Sequence, residues 1–330
     1  MYVKRNYGFW MTVKWSKMPF IIGFIYASVI VSFHVLISST FTIPWQIITV
    51  LGIAVAFYLG FKNNSSYDRT WEARKIWGAI VNHSRSFASA VLSFVQIDDP
   101  NNKYYWQKRL IYRHIAWLTA LRHQLRLERE WEHKEDRLMS LYIPNICEAY
   151  FSRLDHDILQ YIDRDELEQY KSKSNMASQL LITQMKEITD LYKDHWIDGF
   201  QYKRMHEIIS FLYDDQGMCE RIKNFPFPRQ YASTALWLTF VFCAVLPFGV
   251  LNTFENNGMA VWMAIPISAL TTWVFFLMEK IGDYSENPFE GTYNDVPITS
   301  IARAIEIDLR EMLNDEEIPK PVQAVNGFLL

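Results

Sequence analysis

Residues 18–61 read MPFIIGFIYASVIVSFHVLISSTFTIPWQIITVLGIAVAFYLGF, without a single Asp, Glu, Lys or Arg. A helix needs about 20 apolar residues to cross the hydrocarbon core of a bilayer. This run is long enough for two crossings, and SSTFTIPWQ at 38–46 supplies the turn between them. A matching pair follows much later. Residues 230–254 carry no charge, Glu255 and the turn residues Asn256, Asn257 and Gly258 come next, and 256–278 is again uncharged up to Glu279. The pattern predicts four transmembrane helices, at about 19–38, 45–62, 232–252 and 259–278. Buried helices of a soluble protein are the alternative. Paired runs of this length argue against it.

Both hairpin turns, 38–46 and 252–258, lack Lys and Arg. The other flanks hold Lys14, Lys17, Lys62, Arg69, Arg74, Lys75, Arg221, Lys223, Arg229 and Lys280. Positive flanks stay in the cytoplasm, which predicts a multi-pass protein of the inner or plasma membrane with both termini cytosolic. The expected division is a cytosolic segment 1–18, the first two spans 19–62, a cytosolic helical domain 63–230, the second two spans 231–279, and a cytosolic C-terminal segment and tail 280–330. The middle domain reads as helices from segments such as NKYYWQKRLIYRHIAWLTALRHQLRLERE (102–130), apolar at helical spacing with charges on the other face. The pair of prolines in FPFP (225–228) breaks the chain before the third crossing. The tail, with its prolines and mixed charge, is compatible with wrapping a neighbour, plugging a vestibule or staying disordered. His34 falls in mid-crossing, and hydrogen bonding to a neighbouring helix is the expected role.

Composition excludes several classes. The 330 residues sum to a net charge of −3, so there is no nucleic-acid footprint. Cys147, Cys219 and Cys243 are too few and too scattered for a disulfide framework or a zinc site. No phosphate-binding glycine loop occurs, and HEIIS at His206 lacks the second histidine of a zinc-protease helix. EREWEHKED (128–136) is expected to be a solvated helix face. The chain is therefore expected not to be an enzyme and to need no cofactor or metal. A conduit, a carrier or an anchor remains.

The end of the first charge-free run bears on that choice. GFKNNSSYDRTWEARKIWGA (60–79) turns polar without proline, and its only glycines are Gly60 and Gly78. Nothing breaks the second helix, so it is expected to continue from lipid into water. Ile53, Phe57 and Phe61 lie at i, i+4 and i+8, on one face, and Asn64, Ser65 and Asp68 continue it with polar groups. Gly52, Ala54, Ala56 and Gly60 are small enough to let helices approach closely. A ring of identical copies would make Ile53, Phe57 and Phe61 a hydrophobic neck, of the kind that gates by dewetting. Asn64, Ser65 and Asp68 would then wet a vestibule. Packing of the phenyl rings against neighbouring helices is the plainer reading of the same stripe.

The 60–78 stretch closely resembles the signature after the second helix of the bestrophin family, in particular its prokaryotic branch. ALRHQLR (120–126), GMCERIKNFPFPRQY (217–231) and ENPFEGTYNDVPI (286–298) are similar to further segments of that branch. The resemblance implies an all-α fold: a homopentameric ion channel with four transmembrane helices per subunit and a large helical cytosolic region. It places the neck at Ile53, Phe57 and Phe61 and offers Phe200 for a second, cytosolic aperture. Its implied partners are further copies of the chain, the lipid bilayer and small inorganic ions. Calcium-activated members carry an acidic run after Asn-Pro-Phe. Here that stretch, Asn287 to Asp295, keeps only Glu290 and Asp295, too few for calcium. Small monovalent, chloride-like anions are the expected cargo, because phenyl edges are positive. A sodium-type cation channel of the same fold is the alternative, since Asp68 would concentrate cations. So is a non-conducting membrane-anchored scaffold. An alternating-access transporter is disfavoured by the lack of internal repeats.

Overall fold

The structure, a computed structural model, describes residues 1–37, 42–133, 154–254, 258–292 and 294–330. Part of each hairpin turn (38–41 and 255–257), Cys147 and Tyr293 lie outside the described residues. The chain is helical, and among the described residues it contains no β-strand beyond isolated bridges. It divides into two compact units, one of residues 4–69 and 226–286, the other of 1–3, 70–225 and 287–330.

The first unit holds α1 (Phe9–Ile37), the first half of α2 (Trp45–Phe94), α8 (Arg229–Phe254), a 3₁₀ turn (Gly258–Met263) and α9 (Ala264–Tyr284). Among the described residues four helical segments are long and apolar enough to cross a membrane, and they contain the four expected spans. The helices extend past the apolar windows, because a helix that has left lipid needs no reason to stop. Thus α1 starts at Phe9, inside the basic flank. Hydroxyls are satisfied inside their own helices: Ser28 donates to the Phe24 carbonyl at 2.7 Å and Thr239 to that of Ala235 at 2.8 Å. The core gathers Ala27, Val31, Ile48, Val55, Leu59, Phe242, Leu246 and Val250. Glycines allow close helix approaches in this unit. A Cβ at Gly249 would sit 2.3 Å from Ile48 Cγ1, and one at Gly52 would sit 3.0 Å from Phe242. Gly60 has nothing within 4 Å and makes no such approach. His34 Nδ1 is buried with no hydrogen-bond partner among the described residues.

The second unit holds the rest of α2, then α3 (Pro100–Arg126), α4 (Leu154–Ile158), α5 (Arg164–Lys171), α6 (Met176–Lys193), α7 (Gly199–Asn224) and α10 (Ile298–Met312). Local chemistry sets the ends. Asp99 caps α3 by accepting from the amides of Asn101 and Asn102, with Pro100 at the first helical position. Asp198 and Gln201 form a reciprocal capping box at the start of α7. Helix α7 ends at Asn224 and α8 restarts at Arg229, bracketing FPFP.

Helix α3 departs from its amphipathic reading. It is buried on nearly every side, charges included. The Arg113 guanidinium is held by Glu166 (2.8 Å) and by Glu187. His114 meets Ser84 at 2.9 Å, and burial pushes its pKa down to about 3, so it is neutral. The described part of EREWEHKED is not a solvated helix face either. It is a turn in which buried Glu132 pairs with Lys223. The end of the tail folds back on the chain itself. Leu329 donates to the Met1 carbonyl (2.8 Å), Val3 to that of Gly327 (2.9 Å) and Ser300 to that of Leu330 (2.7 Å), so residues 325–330 dock on the chain's own first residues and on α10.

Candidate ion-conduction site

Helix α2 is unbroken from Trp45 to Phe94, 50 residues, or roughly 75 Å at 1.5 Å per residue. The segment 60–79 thus passes through in one continuous helix. Ile53, Phe57 and Phe61 are 65, 68 and 53% exposed, while Val55 and Leu59 on the other side are buried. Phe57 and Phe61 meet edge to face, with centroids 4.6 Å apart and planes at 85°. Asn64, Ser65 and Asp68 are exposed further along the same helix. Phe200, the second residue of α7, is 88% exposed, an unusual position for a phenylalanine outside a membrane span. Of these residues, Phe57 and Phe61 make a ring-to-ring contact within one chain.

The sequence reading missed a buried ion pair beside this row. Lys62, taken as a free flanking charge, is wholly buried and donates to Glu279 at 2.7 Å, with Asp283 at 3.6 Å. The signal was present: Lys62 closes the first charge-free run and Glu279 closes the last, with opposite charge. The helices meet closely here. A Cβ at Gly282 would sit 2.3 Å from Asn63 Oδ1. Nearby, the Glu286 carboxylate is paired with Arg229, and its backbone carbonyl accepts from Arg69 Nε at 2.8 Å.

In the second unit the acidic loop 287–295 is engaged by protein groups. Asp295 pairs with Arg126 at 2.9 Å and accepts from Thr292 Oγ1 at 2.6 Å and from the Gly291 amide, which its φ of +93° turns toward the carboxylate. Glu290 accepts from the His133 amide at 2.5 Å, and His133 Nδ1 lies 3.0 Å away. Burial pushes the Asp295 carboxyl up against the pull of Arg126. Calcium wants six to eight oxygens with several free charges. These residues do not fit it, since both carboxylates already serve internal donors. No cluster of metal-ligating side chains occurs among the described residues.

The family model for the bacterial/fungal bestrophin protein matches residues 15–311. The chain belongs to that bestrophin family. It is an integral membrane protein, and its family is one of ion channels, not enzymes. Among its relatives, a voltage-dependent anion channel-forming protein of Mesorhizobium japonicum is 27% identical over 83% of this chain and 77% of its own length. The voltage-dependent anion channel-forming protein YneE of Escherichia coli is 24% identical over 87% of this chain and 86% of its own. A solved bestrophin homologue from Klebsiella pneumoniae superposes with a TM-score of 0.74 at 20% identity, over 91% of this chain and 98% of that one. That likeness establishes the shared bestrophin fold, as the signature at 60–78 implied.

Proposed function

We propose that five copies of this bestrophin assemble around α2 into an inner-membrane channel for small monovalent, chloride-like anions, with both termini in the cytoplasm. The observation that carries the reading is the α2 row. It runs without a helix break from exposed apolar Ile53, Phe57 and Phe61 to exposed polar Asn64, Ser65 and Asp68. The relatives named as anion channel-forming proteins support it. Each copy contributes one row, so the neck is three stacked rings of apolar side chains. Such a constriction is narrow and poorly wetted, and passage depends on water entering it. The positive edges of the phenyl rings compensate an anion that sheds its hydration shell. Asn64, Ser65 and Asp68 line the wider, wetted part of the bore, and Phe200 rings a second aperture. The lysines and arginines flanking the spans hold the termini on the cytosolic side.

Asp68 favours a second reading, selection of cations, because an exposed carboxylate ring concentrates them. The deciding experiment is the reversal potential of purified protein in planar bilayers under a salt gradient, with the subunit count measured on the same sample. Phe57→Ala shortens the middle ring and is expected to raise basal flux severalfold. A cation-side reversal potential refutes the anion choice. Unchanged flux in Phe57→Ala, or a monomer or dimer in detergent, refutes the neck.

A further inference from the structure

The first unit contains an apolar groove of about 550 Å³ between α1, α8 and α9 that the conduction reading does not use. Its walls are Met18 and Ile22 of α1, Leu236 and Phe240 of α8 and Phe276 of α9. Its floor is made of small residues, Gly23, Ala244 and Thr272, and is low because α1 and α9 approach closely there. A Cβ at Gly23 would sit 3.0 Å from Thr272. One end is closed by Tyr26, whose hydroxyl crosses to donate to the Ala244 carbonyl at 2.8 Å. At the other end are Met18, Leu236 and Lys280. Eight residues separate the two ends on each helix, or roughly 12 Å at 1.5 Å per residue. That is close to one leaflet, half of a hydrocarbon core of about 30 Å. The volume falls within the roughly 300–1,000 Å³ of sites that hold a small ligand.

The open end is cationic. Glu279 is already neutralised by Lys62, whereas Lys280 makes no ion pair among the described residues and lies 5.7 Å from the Trp15 ring. Lys280 is the basic side chain in the groove lining. An apolar slot one leaflet deep, shut at its inner end and positive at its outer end, matches one lipid class. We propose that it holds an acyl chain of an anionic phospholipid, with the phosphate at Lys280. This goes beyond the conduction reading and does not depend on it.

The test uses the full-length protein purified in detergent and returned to vesicles containing phosphatidylglycerol and phosphatidylcholine with identical chains. Each lipid in turn carries a photoreactive diazirine at the end of one chain. Phosphatidylglycerol is expected to label peptides within 18–26, 236–244 and 272–280 in preference to phosphatidylcholine. Lys280→Gln should cut that preference by about fivefold, the effect of one lysine at an anionic surface. Ile22→Trp, which fills the slot from its exposed rim, should suppress labelling by both lipids. Equal labelling by the two lipids that Lys280→Gln leaves unchanged overturns the proposal. So does a bifunctional cross-link showing a second copy of the chain in the slot. Retention on size exclusion is measured for each variant, and Lys280→Gln, an exchange at the rim, keeps the test valid if Ile22→Trp does not assemble.

Discussion

Separating Lys62 from Glu279 tests how the spans are held in register. The Lys62 side chain is fully buried, that of Glu279 is 7% exposed, and their charged atoms are 2.7 Å apart. Glu279→Gln leaves a buried ammonium with Asp283 at 3.6 Å, a group one-third exposed, as its nearest remaining carboxylate. Removing one partner of a buried pair costs about 3–5 kcal/mol, because the remaining charge is stranded, whereas replacing both by apolar groups of similar volume is often neutral. With about 2 °C per kcal/mol for a domain of this order of size, each of Lys62→Met and Glu279→Gln should lower the midpoint of thermal loss of the assembled peak by roughly 6–10 °C. The Lys62→Met, Glu279→Leu double variant should recover most of that loss. The assay is size exclusion of the detergent-purified protein after a temperature series. If each single variant melts within a degree of wild type, or the double variant loses the sum of the two, the pair is not what fixes α2 against α9.

Further outcomes follow from other contacts. Burial alone would raise the Glu166 carboxyl, but hydrogen bonds from Arg113 and Tyr170 hold it below its ordinary 4.5. Since its folded value is the lower one, its stabilisation is complete above about 4.5 and is lost as the pH falls through the folded value. Glu166→Gln should therefore lose less helicity than wild type, relative to pH 7, in an acid titration by circular dichroism below 4.5; parallel curves would contradict this. Calcium up to the millimolar range should leave anion flux unchanged. Steep micromolar activation that disappears in Asp295→Ala would overturn the view that Arg126 fills that role. Gly249→Ala should destabilise by about 1–3 kcal/mol through overpacking against Ile48, and Ile48→Ala in the same chain should restore part of it. A thermal shift series on the four proteins reads both effects.

The membrane unit was legible because one rule governs it. No charge survives in lipid, so charge-free runs marked all four spans, and the absence of a breaker in 60–79 marked the continuous α2. What stayed hidden depends on pairing across long separations. Lys62 looked like a solvent-facing flank, because a single sequence does not reveal that a carboxylate more than two hundred residues later closes on it. The helical wheel of α3 separated charged from apolar positions correctly and still misjudged the environment: both faces are buried, and Glu166, Glu187, Asp157 and Asp295 come from elsewhere to meet the arginines. The docking of residues 325–330 rests on backbone bonds to Met1 and Val3, and composition does not encode them. The exposed row of Ile53, Phe57 and Phe61 was legible as spacing alone.

Helix α3 carries charge into the interior of its unit. A helix surrounded on all sides by other helices could have been filled with leucine. This one instead carries Arg113, His114, Arg122, His123 and Arg126 into the interior, and each has a described partner, Arg122 and His123 sharing Asp157. Such pairs add little net stability over apolar packing, since desolvation offsets most of the attraction. Their consequence is selectivity. A register slip of α3 against α5, α6 or the 287–295 loop would strand several buried charges at once, at several kcal/mol each. An all-apolar α3 would tolerate such a slip. For Arg126 the constraint reaches furthest along the chain, because its carboxylate lies in the segment that directly follows the last membrane span. The position of that loop is thereby fixed by an internal guanidinium.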